Sequence, residues 1–196
     1  MPHRSPWRRP AVAARFALLL AALAPASARL GAQGRPPGAE PERPAAAPAD
    51  IASEVAIIQA LYEVISGPKG QARDWNRFRS LFAEGARLIP AGRRPNGESG
   101  LRVLDVEGYI RAAEPYLVQH GFFEREIAAR SERFGSVAHR FSTYESRHDA
   151  GDVVPFSRGI NSIQLYHDGS RWWVVTILWD AERPDQPIPE RYLPDR

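Results

Sequence analysis

From Ile51 onward the apolar residues fall at Ile51, Val55, Ile58, Tyr62 and Ile65, which is one face of an amphipathic helix. Asp50 is placed to cap it, and Gly67-Pro68-Lys69-Gly70 stops it. A second, shorter helix carries Trp75, Phe78, Leu81 and Phe82 and is closed by Gly85. Short strands are predicted at residues 87–89 and 101–104, on either side of a polar loop. A third helix, capped by Asp105, bears Tyr109, Ile110, Ala113 and Leu117, with Pro115 inside it to kink or divide it and Gly121 as its stop. The pattern then changes. Residues 122–134 and 136–148 read as two long strands, and an Asp168-Gly169 turn joins two more in a hairpin.

The last of these strands is apolar on both sides. Strict alternation puts Trp172, Val174 and Leu178 on one face and Trp173, Val175, Ile177 and Trp179 on the other. A sheet wetted on one side alternates apolar with polar, so this one needs a cover on each face. Three helices followed by four long antiparallel strands give an α+β two-layer fold in which the helices cover one face of a curved sheet and leave a hollow. The other face awaits either a second copy of the chain or the proline-rich tail, 184–196.

The first 28 residues have the form of an export signal: Arg4, Arg8 and Arg9, an apolar stretch around Leu18-Leu19-Leu20, and Ala26-Ser27-Ala28 as a cleavage site. The apolar stretch is shorter than the ~20 residues that span a bilayer. Its removal takes the formal net charge from +3 to −1, so the basic balance belongs to the signal and gives no indication of a nucleic-acid partner. Residues 29–50, rich in Pro, Ala and Gly, read as a disordered linker to a domain at 51–183. With no cysteine, a disulfide framework or thiolate chemistry is excluded.

Taken in order, Ile57-Ile58-Gln59-Ala60-Leu61-Tyr62, Asp74-Trp75, Leu81-Phe82-Ala83, Gly135-Ser136-Val137-Ala138-His139 and Asp168-Gly169-Ser170-Arg171-Trp172 resemble a nuclear transport factor 2-like domain of the SnoaL-like group. The resemblance spans roughly residues 51–182. It implies a cone-shaped pocket, three N-terminal helices on a curved, mainly antiparallel sheet, and a homodimer formed through the sheet face. The fold hosts both enzymes and non-catalytic binders, so function must be sought in the residues.

Those residues offer two constellations. Tyr62, Trp75, Phe78, Tyr109, His139, Asn161 and Ser162 are the candidate lining of a pocket for a small apolar or amphipathic molecule. His139 as general base with Tyr62 as hydrogen-bond donor is the candidate acid–base pair of a cofactor-independent lyase or isomerase. The resemblance to steroid isomerases would also require a carboxylate where Pro90 stands. A third possibility is an interaction module presenting its sheet. Glu124, Arg125, Glu126, Arg130, Glu132 and Arg133 read as a solvated strand face of ion pairs, each worth little. No metal-ligand spacing, phosphate-cradling glycine loop or nucleophile elbow is present, so no metal or cofactor is called for. The reading that fits best is an exported, non-catalytic ligand-binding domain.

Overall fold

The computed structural model describes residues 44–93 and 98–195. The expected export signal, most of the linker and part of the polar loop lie outside the described residues. Those that are described belong to one unit, 41–196. The elements run α1 (Pro48–Ile51), α2 (Glu54–Ile65), α3 (Trp75–Leu81), β1 (Phe82–Arg93), β2 (Ser99–Leu101), α4 (Val106–His120), β3 (Phe123–Phe134), β4 (Val137–Arg147), β5 (Ser157–His167) and β6 (Trp172–Ala181). A single 3₁₀ turn, Glu190–Tyr192, follows in the tail. The strands form one sheet in the order β2-β1-β6-β5-β4-β3, antiparallel throughout except for β1 beside β6. This is the α+β arrangement expected, with a curved, mainly antiparallel sheet packed against the helices.

Helices α2, α3 and α4 each start where a side chain satisfies a free amide. The Ala56 amide donates to Ser53 Oγ at 3.0 Å, the Arg77 amide to Asp74 and the Gly108 amide to Asp105. Ser53 therefore caps the first long helix, and Asp50 does not. Asp50 lies one turn earlier in α1 and binds the Arg77 guanidinium through both carboxylate oxygens. Pro115 sits inside α4 without dividing it. Gly121 ends that helix at φ +74°, where a Cβ would also lie 2.5 Å from the His148 carbonyl oxygen, so only glycine fits.

The ends of α2 and α4 are joined by a buried guanidinium. Arg73 donates to the carbonyls of Ile65 (2.8 Å), Gly67 (2.6 Å) and Leu117 (3.2 Å), and to that of Gln71. Three of these acceptors come from the last turns of the two helices or just beyond; the Gly67 and Leu117 carbonyls also accept from the Phe122 and Gly121 amides, so the guanidinium adds a second bond to each.

The strand faces depart from strict alternation. Leu165 pairs with Val174 and Gln164 with Thr176, which leaves Val175 as an extra residue. The bulge turns Trp172, Val174, Ile177 and Trp179 all inward, and Trp173 and Leu178 outward. A second bulge sits in β3 at Ile127, and a third lies early in β1, between Phe82 and Arg87. Strand β1 begins at Phe82 rather than near Arg87, and its Gly85 takes φ +72° within that irregular stretch instead of closing a helix.

Trp173 is covered by its own hairpin. Arg171 stacks on its ring, and its indole N–H donates to Asp168. The tail folds back onto the outer face of its own sheet: Tyr192 packs edge-on to Phe141, its carbonyl accepts from Thr143 Oγ1, and Ile188 is buried. Part of the face assigned to a second copy is thus occupied by the chain itself.

Replacing Arg73 by Met keeps the apolar stem and removes the guanidinium that ties the two helix ends together. The Arg73→Met variant is expected to lose roughly 2–4 kcal/mol of stability in chemical denaturation. A loss below ~1 kcal/mol would show that water satisfies these groups equally well.

Candidate functional site

Helix α2 lies across the inner face of β3, β4 and β5, and its Tyr62 points into the hollow. The phenol oxygen is 2.6 Å from Ser142 Oγ on β4 and 3.0 Å from Asn161 Nδ2 on β5. Ser142 has one proton and donates it to Glu126 on β3 at 2.6 Å. Tyr62 must then donate to Ser142, and Asn161 donates to Tyr62. The result is a directed chain, Asn161 to Tyr62 to Ser142 to Glu126. It ends on a carboxylate that is also held by the Arg140 guanidinium, with Nε at 2.7 Å. Burial, with the charge of Glu124 nearby as the next contribution, raises the Tyr62 pKa well above the ordinary phenol value.

Glu124, two residues before Glu126 on the same inner face, is held differently. Its carboxylate accepts from Ser146 Oγ at 2.7 Å and is hydrogen-bonded to Asn161. Among the described residues no cationic side chain forms an ion pair with it. Desolvation raises its pKa to about 7 despite the two hydrogen bonds, which act in the opposite direction. The part of Glu124 that remains accessible faces two cavities.

The outer chamber, about 780 Å³, lies between α2, the start of β3 and the loop around Val153. Val55 and Val153, on its rim, are 62% and 89% exposed, so it opens to solvent. The deep chamber, about 120 Å³, is walled by Leu61, Phe78, Tyr109, Phe122, Ile177 and Trp179. Tyr62 and Glu124 line both chambers, which adjoin at these two side chains. Among the described residues no group of three or more His, Asp or Glu side chains is placed to hold a metal ion.

Of the residues named from the sequence, Tyr62, Phe78, Tyr109 and Asn161 line this site. His139, Ser162 and Trp75 do not. His139 and Ser162 lie on the outer face, bonded to each other at 3.0 Å. Inward-facing Ser142 fixes the parity of β4, and His139, an odd number of positions away, points the opposite way. Trp75 stands behind the deep chamber, edge-on to Phe78, with its indole N–H on Glu114. The proposed His139–Tyr62 acid–base pair is therefore not assembled, and the single Tyr62 proton is already committed to Ser142.

The two glutamates, read from the sequence as part of a solvated face, are the polar centre of the hollow. Their spacing of two, matched by Arg140, Ser142 and Ser146 on the next strand, was the available signal.

No protein-family model and no curated protein matches the chain. Among solved structures it is similar to three nuclear transport factor 2-like proteins of unknown function. The one from Silicibacter pomeroyi is 17% identical over 67% of this chain and 94% of the other, with a TM-score of 0.45. Those from Pseudomonas putida and Shewanella baltica are 12% and 15% identical over 67% of this chain and 84% and 98% of theirs, with TM-scores of 0.46 and 0.41. The helix order and the curved, mainly antiparallel sheet described above are those expected from the sequence. At these identities and TM-scores the likeness says nothing of activity.

The raised pKa of Glu124 makes stability depend on pH with a defined sign. Between its ordinary value near 4.5 and about 7 the folded state binds the extra proton, so this contribution is present in full below 4.5 and is lost as pH rises through 7. Glu124→Gln removes the effect. Relative to the unsubstituted protein, the variant is expected to gain roughly 1–3 kcal/mol on going from pH 4 to pH 8, measured by urea unfolding at each pH. A pH-independent difference would place the carboxylate in ordinary solvent.

Proposed function

We propose that this chain is an exported small-molecule binding domain that holds a largely apolar ligand in the two adjoining chambers, without catalysis by a His–Tyr pair. The export part of this reading rests on the sequence of residues 1–28 alone. The observation that carries the binding part is the junction of the chambers at Glu124. The fold ties up Glu126 with Arg140 and Ser142, but it leaves Glu124 facing open space. A buried carboxylate disfavours folding unless something else needs it. A concave, mainly apolar cavity with a few convergent polar groups is the usual form of a ligand site.

The geometry also sets the shape of the ligand. The deep chamber takes a small apolar group against aromatic and aliphatic walls. The outer chamber, with Gln59, Glu63, Arg125 and Arg147 on its walls, accommodates a longer or more polar remainder.

The test is a fragment screen by ligand-detected NMR on the full chain, repeated with Val55→Trp, which places a bulky ring at the exposed rim of the outer chamber. Fragments bound by the unsubstituted protein are expected to weaken at least about tenfold in the variant, a loss of about 1.4 kcal/mol. Trp179 fluorescence should report their arrival in the deep chamber. If no fragment binds, or if every bound fragment ignores the Val55→Trp change, the cavity is not the site.

A further inference from the structure

Most charges around the cavity are neutralised in pairs; of the carboxylates that line it without an ion pair, Asp152 lies in the exposed loop at the rim of the outer chamber and only Glu124 also faces the deep one. Glu126 holds Arg140, Glu145 holds Arg125 and Arg147, and Glu63 holds Arg77. Glu124 is served by a hydroxyl and an amide, both neutral. Its surroundings are also distinctive. The phenols of Tyr62, Tyr109 and Tyr144 and the rings of Phe78, Phe122 and Trp179 line the deep chamber with it. Aromatic faces carry partial negative charge and attract cations, and this attraction grows where water is excluded.

Resting on the binding reading above, we propose that the ligand is an organic ammonium ion, a protonated amine whose nitrogen meets the Glu124 carboxylate and whose apolar body fills the aromatic deep chamber. The ammonium brings the positive charge that the fold withholds from Glu124, and N–H donors for the carboxylate lone pairs that Ser146 and Asn161 leave free. A carboxylate ligand would meet Glu124 as a like charge. An alcohol would supply a single donor and no charge, leaving the buried anion uncompensated.

The titratable groups facing Glu124 allow a clean readout. Tyr62 from α2, Tyr109 from α4 and Tyr144 from β4 are all raised above the ordinary phenol value, first by burial and next by Glu124 itself, so they stay protonated from pH 5 to 8.5. On β3, Glu126 stays paired with Arg140. The Ser146 and Asn161 side chains do not titrate. Glu124, at about 7, is the group near the ligand whose ionisation crosses this range.

The experiment is isothermal titration of the full chain with benzylamine, benzyl alcohol and benzoate between pH 5 and 8.5, repeated with Glu124→Gln. Benzylamine remains protonated over this range while Glu124 ionises. Its affinity is expected to rise about tenfold per pH unit up to pH 7 and then level off. In Glu124→Gln the rise should vanish, and affinity at pH 8 should drop at least about thirtyfold. The pH profile of the unsubstituted protein stands independently of how well the variant folds. Benzyl alcohol or benzoate binding as tightly as benzylamine at pH 8 would overturn the ammonium assignment while leaving the cavity as a ligand site. Benzylamine binding that is flat with pH, or unchanged in Glu124→Gln, would overturn it equally. Absence of binding by all three, together with a silent fragment screen, would overturn both readings.

Discussion

The hydrogen-bonded chain from Asn161 through Tyr62 and Ser142 to Glu126, closed by Arg140, is the interaction on which the interior depends. A hollow between helices and sheet exposes polar groups to a poor solvent, and each must find a partner or destabilise the fold. Here one hydroxyl from α2 reaches two strands at once and sets the height and rotation of the helix over the sheet. Every proton in the chain has a single destination, so the network is satisfied and directional. That is also why Tyr62 is better suited to position the helix than to give a proton to a bound molecule.

Beside this closed network stands a carboxylate that the fold leaves open. Glu124 and Glu126 share a face of β3 and are separated by one residue, yet one is neutralised by a guanidinium and the other is not. The difference comes from the neighbouring strand. Arg140 pairs with Ser131 and its long side chain reaches along the strand to Glu126, whereas Ser146 lies directly opposite Glu124. The unneutralised group sits where the open outer chamber meets the aromatic deep chamber. A self-satisfied network next to an unneutralised carboxylate in a cavity is what the proposed ligand site rests on, since recognition there would require little rearrangement of the walls.

The sheet gains its shape from irregularities that alternation alone does not reveal. The extra residue at Val175 lets β6 present four large apolar side chains inward over eight positions. A strand that read as greasy on both faces needs less cover outside than strict alternation implied. Leu178 and Trp173 face outward there, and the latter is masked by Arg171 and Asp168. The tail then covers the outer side of β4 near Phe141. On the other side of the sheet, Arg73 ties the C-terminal end of α2 to that of α4 and so fixes two walls of the hollow relative to each other.

By itself the sequence determined the succession of helices and strands, the helix cap at Asp105, the stop at Gly121 and the hairpin at Asp168-Gly169. These depend on local backbone preferences and on the period of apolar residues, both written within a few positions of chain. It also placed Tyr62, Phe78 and Tyr109 toward the interior, because one helical face is apolar. Only the tertiary structure decided which face of each strand meets the helices, and with it the outward place of His139 and Ser162 and the inward place of Glu124 and Glu126. In a strand the side chains alternate, so a single bulge or an unknown starting parity exchanges inside for outside. A charged residue looks the same in sequence whether it faces water or a cavity; its partners across the sheet, tens of residues away, settle which.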